Sequence, residues 1–483
     1  VKHVLTITVL VAWLGMMALL VHKQTPSPSS DLATLPPIAE PADGAGAPRE
    51  EWFGVYQEGR KIGHTRRVTT RTATGWRFQD DSSFGLAMMG TPQRLTTAMV
   101  ADTDDEYALR TFRFALVSPA ATFTATGESD GRRLEVRYGA GDQIERSTIP
   151  LDEPIQLPAS MRPRIAAAKP VAGTRFTHSV FSPLTLRNDR VVTEVEGTET
   201  MDGRETTRLV EENQGMRARV WIDGEGNAVR EEASLGLVLR SEPRETALAG
   251  VDGSAPFDVA FSTRIPLQGV LDDDRTRPTL SLRVSGEAAV RIPDDPPRQV
   301  VRDGVLRIVR ERLPDHVDAD AALPARWVGP SPFIESDDPA IIARAQAIVG
   351  DGADPLVSAQ RLVDWVHGHM TAEPAITVPS AREVLRTRRG DCNEHAVLLA
   401  ALARAAGIPA RVIAGVVHMD DGFYYHAWNE LWLGRWVSAD AVFAQMPADA
   451  THVKLLEGGP EQHLELAGIV GRLQFATMEE TGS

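Results

Sequence analysis

A chain of 483 residues, 42% hydrophobic and 24% charged, is too long for one ordinary core and has apolar mass for several. Its net charge of −15, with no basic stripe to offset it, excludes a general affinity for nucleic-acid phosphates. A single cysteine, Cys392, excludes an internal disulfide.

At the start of the chain, Lys2 and His3 precede an apolar run over residues 4–21, closed by His22 and Lys23. As a helix this run spans about 27 Å, close to the thickness of a bilayer core. No A-x-A cleavage pattern follows it. The expectation is an uncleaved transmembrane signal anchor over 1–23, with a single pass and a membrane-anchored, extracytoplasmic body, periplasmic in a bacterial cell. Residues 24–50 carry six prolines and no aromatic residue and read as a disordered tether, because they cannot bury enough surface to offset ordering.

From 51 to 250 the pattern is short and two-fold. "WFGVYQEGRKIGHTRRVTTRT" reads strand, glycine turn, strand, and "RVWIDGEGNAVREEASLGLVLR" repeats the style. Residues 160–190, with Pro163, Pro170 and Pro183, read as irregular. A second β-rich segment, 251–324, is either separate or a continuation of the first sheet. The acidic clusters at 102–106 and 271–274 lack the spacing and glycine of an EF-hand and read as solvated loops.

After Pro324 the texture becomes helical. Asp338-Pro339 and Asp354-Pro355 open helices, and Ser380 with Glu383 forms a capping box before Val384. In "RRGDCNEHAVLLAALARAAGIPARV", Asp391 is an N-cap and Glu394 stands at the third helical position, which puts Cys392 first in the helix. A helix N-terminus presents unbonded N–H groups and partial positive charge, both of which favour thiolate. The bland alternative, a small buried hydrophobe, fits a mid-helix position better than this one.

A thiolate nucleophile needs a base, and the base needs an orienting group. In the strand 423–433, alternation puts Tyr424, His426, Trp428, Glu430 and Trp432 on one face. If the turn at 433–435 has an odd number of loop residues, Asp440 on the next strand lies opposite Trp428 or His426 on that face. There a carboxylate fixes the imidazole tautomer and stabilises imidazolium. Zinc held by Cys392, His395 and His426 is disfavoured for lack of a second thiolate, and His367 and His369 point two ways. No metal or cofactor site is read.

These segments resemble the transglutaminase-like superfamily with its papain-like fold: "RRGDCNEHAVLLAALARAAGIPAR" its nucleophile segment, "YYHAWNELWL" its histidine segment and "GRWVSAD" its aspartate segment. The resemblance covers about 325–450, followed by a C-terminal extension over 451–483. It implies Cys392 as nucleophile, His426 as general base and acid, and Asp440 as orienting carboxylate. Where many members read "DPT" after the aspartate, this chain reads "DAV". The fold class expected is α+β: antiparallel β-rich modules, then a papain/transglutaminase-like cysteine domain with a helix-borne Cys packed on an antiparallel sheet. The activity implied is cysteine-dependent acyl transfer or hydrolysis of a protein or peptide amide in the cell envelope, with hydrolysis favoured over crosslinking. The rival is a non-catalytic envelope scaffold or peptide-binding protein. The partners expected are a protein or peptide substrate and a membrane through the N-terminal helix, with no nucleic acid.

Overall fold

A computed structural model describes residues 29–30, 48–88, 90–140, 144–213, 216–233, 236–250, 257–258, 264–272, 275–317, 323–373, 378, 380–458, 466–470 and 472–478. The chain divides into two compact units, with the boundary in sequence after Asp258.

In the first unit, strands follow one another as antiparallel neighbours. One meander runs from Arg49–Gln57 to Glu145–Pro150 and a second from Arg175–Ser182 to Leu237–Ser241. They join where Leu237–Ser241 pairs with Arg49–Gln57. Alternation drives this: in Thr122–Ser129 the inward residues are Phe123, Ala125 and Gly127, with their neighbours more exposed. The sheet curls to a nearly closed barrel. Residues 155–156 link the two meanders, since Leu109 N–H donates to Ile155 O and Gln156 N–H to Ser179 O, both at 2.9 Å. The segment expected to be irregular contains a helix, Pro158–Ala168, that carries Pro163 in its interior. Burial stabilises it despite the proline: Met161, Arg162, Arg164, Ile165 and Ala166 are all buried.

Burying arginine demands anions. Arg162 reaches Glu231 at 2.7 Å and Glu211 at 3.3 Å, while Arg67 reaches Asp80 at 3.0 Å and also bonds Glu231. Burial would raise the Glu231 carboxyl, but Arg162 and Arg67 outweigh it and hold it below its ordinary value.

The second unit packs helices on a mixed sheet. The sheet order is Gln299–Arg302, Val305–Val309, Thr279–Ser285, Gln474–Thr477, Ile265–Gln268, Gly422–Trp432, Ala410–Met419 and Val453–Glu457, with Trp436–Ala439 added beside Gly422–Trp432. The β-rich stretch after 258 thus joins this sheet. Asp338 and Asp354 each cap their helix by accepting from backbone N–H groups, and a proline follows each at the first helical position. The helix Cys392–Ala405 is buried from Cys392 to Arg404. It lies against the Pro339–Val349, Pro355–His369 and Ala381–Thr387 helices as well as the sheet, and small residues such as Ala396, Ala400 and Ala403 permit that close approach.

Two expectations are corrected. The α+β class does not describe the chain, which is mostly β: the two meanders and the strands of the second unit far outweigh the few helices between 339 and 405. Local patterning marked those helices clearly, but strand content accumulates over many short segments. The membrane-anchored, extracytoplasmic placement is also overturned, since no helix among the described residues is long and apolar enough to cross a membrane. The longest of them, Pro355–His369, has 15 residues and buries only one face. At 1.5 Å per residue it spans roughly 22 Å, short of a bilayer core. The apolar run at 4–21 and most of the proline-rich segment lie outside the described residues.

Glu231→Ala removes the acceptor that Arg67 and Arg162 share. It is expected to destabilise the first unit by about 3–5 kcal/mol, as loss of one partner from a buried ion pair does. Urea unfolding followed by circular dichroism measures this, and a change within ±0.5 kcal/mol, roughly the scatter of surface substitutions, would assign the cluster no stabilising role.

Candidate active site

The strand Gly422–Trp432 has Ala410–Met419 along one edge for its whole length. Among the described residues its other edge is paired at the ends, with Ile265 and Pro266 opposite Phe423 and Gly422 and Trp436–Ala439 opposite residues 429–432. Residues 424–428 lie between these pairings. There the Ala427 N–H donates to Cys392 Sγ at 2.9 Å. The cysteine therefore meets the sheet through the backbone of the residue next to His426.

The turn before the helix explains why Cys392 is delivered there. Asp391 accepts from Asn393 N–H at 3.1 Å, and Glu394 accepts from Asp391 N–H at 2.9 Å, closing a reciprocal cap that starts the helix at Cys392. Glu394 folds back over Gly390, whose φ is +145° and where a Cβ would stand 2.4 Å from the Glu394 side chain. Only glycine fits. Burial first, and then the Glu394 charge, push the Asp391 carboxyl well above its ordinary range. Two further bonds pin the helix to the strand: Tyr425 OH donates to Asn393 Oδ1, and Asn429 Nδ2 to Ala396 O, both at 2.8 Å.

On the opposite face of the same strand, His426 Nε2 lies 2.7 Å from Asp440 Oδ2. The turn at 433–435 has three loop residues, with Trp432 opposite Trp436 and Asn429 opposite Ala439, so Asp440 follows on the imidazole's face. Its other oxygen, Oδ1, accepts from Val442 N–H at 2.7 Å and Phe443 N–H at 3.3 Å. Cys392, His426 and Asp440 are 1%, 4% and 0% exposed, so this chemistry sits in a low-dielectric interior. Burial would raise the Asp440 carboxyl, but the His426 charge and the bonds from both imidazoles around it hold it well below the carboxylate range.

The second imidazole is His452, which sequence reasoning missed along with Asp449. His452 Nε2 lies 2.9 Å from the same Asp440 Oδ2, and its Nδ1 lies 3.4 Å from Asp449 Oδ1. Burial works against protonation of His452, yet its two carboxylate partners raise its pKa above the ordinary value. Asp449 is likewise lowered despite burial, by His452 and by Thr451. The one available signal was the pairing of Asp449 and His452 three residues apart ahead of an apolar strand. Trp428 packs on Gly415, where a Cβ would stand 2.0 Å from Val453 O and 2.7 Å from the Trp428 ring, so this side of the strand is closely filled.

The other residues considered from sequence are engaged elsewhere. His395 Nδ1 meets Asp391 O at 2.6 Å, His367 Nδ1 meets Ala441 O at 3.1 Å, and His369 Nδ1 meets Trp365 O at 2.8 Å. Tyr424 OH donates to Asp421 Oδ1 at 2.8 Å. The ligand-type atoms of His426, Asp440 and His452 lie within 4.8 Å of one another. The two Nε2 atoms meet one carboxylate oxygen at hydrogen-bond distance, which accounts for that convergence.

With this geometry in hand, residues 342–441 match the family model of the transglutaminase-like superfamily, and over that segment the chain carries a domain of that superfamily. The resemblance read from the cysteine, histidine and aspartate segments holds there. No match to a curated protein is found. Among solved structures, a candidate cysteine protease from Cytophaga hutchinsonii is 17% identical, with 42% of this chain and 81% of that one covered and a TM-score of 0.28. A candidate protease from Parabacteroides distasonis is 11% identical over 76% of this chain and 70% of that one, with a TM-score of 0.20. A β-barrel-like protein of a domain of unknown function from Brucella abortus is 8% identical, covering 40% of this chain and 94% of that one, with a TM-score of 0.32. At such scores the likenesses are loose, and the site stands on its own geometry.

The cluster has a signed pH dependence. Asp440 and Asp449 are lowered from 3.8, so their contribution to stability is present above that value and is lost as pH falls toward their folded values. His452 is raised from 6.5, so its contribution is full below 6.5 and is lost as pH rises through the folded value. The melting temperature is expected to decline on the alkaline side in wild type and to lose that decline in His452→Gln. Identical alkaline profiles would contradict the linkage.

Proposed function

We propose that this protein is a cysteine-dependent acyl-transfer enzyme that acts on peptide or protein amides by net hydrolysis. The observation that carries the reading is the convergence of these groups on one strand. There Cys392 Sγ is bonded to the Ala427 N–H, beside an imidazole whose Nε2 is held by Asp440. With Nε2 committed to the carboxylate, proton exchange with the thiol falls to His426 Nδ1. The transglutaminase-like match over 342–441 supports an amide as the substrate class.

In this mechanism the Cys392 thiolate attacks the amide carbonyl carbon, and the π electrons move to oxygen. The Cys392 backbone N–H at the helix start is one donor to that oxyanion. His426 imidazolium then gives its proton to the departing amine as the C–N bond breaks, leaving a thioester on Sγ. Water, deprotonated by His426, attacks the thioester, and the acid leaves as the thiol re-forms. Asp440 orients the ring and stabilises its cationic form throughout. Crosslinking would need an amine to outcompete water at the thioester, which calls for a dry acceptor site. Water is the default acceptor.

The test acylates the protein with an activated ester and follows the adduct by mass spectrometry. One acyl group is expected on Cys392, and none on Cys392→Ser when adducts labile to hydroxylamine are counted. Asp440→Asn is expected to slow turnover by about 10³–10⁴-fold in protein that still folds, with a lower melting temperature because the charge shared by His426 and His452 is lost. Absence of a Cys392 adduct would end the enzyme reading. Predominant amide product with millimolar lysine analogues would convert it to a transamidase.

A further inference from the structure

His452 makes contacts that the reaction above does not use. The ring is 0% exposed and stands between two carboxylates, with Asp440 Oδ2 at 2.9 Å from Nε2 and Asp449 Oδ1 at 3.4 Å from Nδ1. Asp449 is built to stay in place. Its Oδ1 accepts from Thr451 N–H at 2.7 Å and from the Thr451 hydroxyl, and its Oδ2 from Gln445 Nε2 at 3.0 Å. An ionised carboxylate only accepts, so a ring with one at each nitrogen donates from both, which is the imidazolium form. Asp440 Oδ2 is thereby divided between two imidazoles, at 2.7 Å and 2.9 Å.

The surroundings of this pair are closed and few of the groups are charged. His452 meets the Trp428 ring edge-on at 5.2 Å, the Phe443 ring at 6.0 Å and the His426 ring at 5.6 Å. Arg275, from the segment before Thr279–Ser285, lies 3.9 Å from Asp449 Oδ2 with its guanidinium over Phe443. From the helix Cys392–Ala405, His395 lies within the field of Asp440, and Cys392 reaches the same strand. The ionisable groups around the two imidazoles are therefore Asp440, Asp449, Arg275, His395 and Cys392.

We propose that His452 is a positioning residue: by sharing Asp440 Oδ2 with His426 it fixes the carboxylate and takes part of its charge, so that His426 holds its proton less tightly than an unshared aspartate would make it. The inference rests on the cysteine-histidine reading given above. Its chemical use is plain. A general acid that must protonate a departing amine and then act as a base works best when it is poised near the operating pH. Asp440 alone, buried beside His426, would favour the imidazolium too strongly.

The test needs no substrate, because Cys392 is the only cysteine in the chain and its alkylation reports on this site alone. The rate of iodoacetamide reaction is measured against pH in the full chain for wild type, His426→Ala, His452→Gln and Asp449→Asn, with melting curves to verify folding. The step that His426→Ala abolishes belongs to His426. In His452→Gln, loss of the neighbouring cation is expected to move that step upward by at least about one pH unit. Asp449→Asn is expected to move it the same way by less, because the positive charge it releases on His452 lies nearer to Asp440 than the negative charge it removes. A folded His452→Gln with the step at its wild-type pH, or an Asp449→Asn that shifts it downward, overturns the proposal. If wild type and His426→Ala give the same profile, the cysteine-histidine reading falls and this inference with it, an outcome distinct from failure of His452 alone.

Discussion

One buried carboxylate organises the second unit of this protein. Asp440 is 0% exposed, yet its two oxygens take four hydrogen bonds, from His426 and His452 on one side and from the Val442 and Phe443 N–H groups on the other. A charge so far from water is tolerated only where donors meet every lone pair. Meeting them requires a strand that ends at Ala439, a turn that folds its own N–H groups back, and a second chain segment that brings in His452. The architecture around the site reads as the set of constraints that satisfy this group.

The first unit solves the same problem with the signs reversed. Arg162 is buried and Arg67 mostly so, and they are neutralised by Glu231, Glu211 and Asp80. Arg162 lies on the only helix among the described residues of that unit longer than five residues, and its partners lie on strands far away in the chain. Such a network contributes less to raw stability than apolar packing of the same volume would, but it penalises any register in which the charges fail to meet.

Much of the local structure was legible in the residues themselves. Asp338-Pro339, Asp354-Pro355 and the Asp391–Glu394 cap mark helix starts, because a cap is a contact between residues two or three positions apart. Alternation through Tyr424, His426 and Trp428 assigns faces, because a strand's period is two. The helix at 158–168 was illegible for the converse reason: its prolines argue against it locally, and what stabilises it is burial among strands from other parts of the chain. The overall class was misread because strongly marked helices weigh more in a reading than many short strands.

What the sequence by itself determined is therefore the elements that carry the candidate side chains: a thiol first in a capped helix, an imidazole mid-strand and a carboxylate after the next strand. What only the tertiary structure decided is how those elements meet. Ile265–Gln268 and Trp436–Ala439 pair with the ends of the histidine strand, the cysteine meets it at Ala427, and the segment at 449–452 returns to share the aspartate. Pairings of this kind join residues separated by up to about 160 positions, and no local propensity encodes them. They are set by the free energy of satisfying buried polar groups and closing one core, which exists only once the whole unit has assembled.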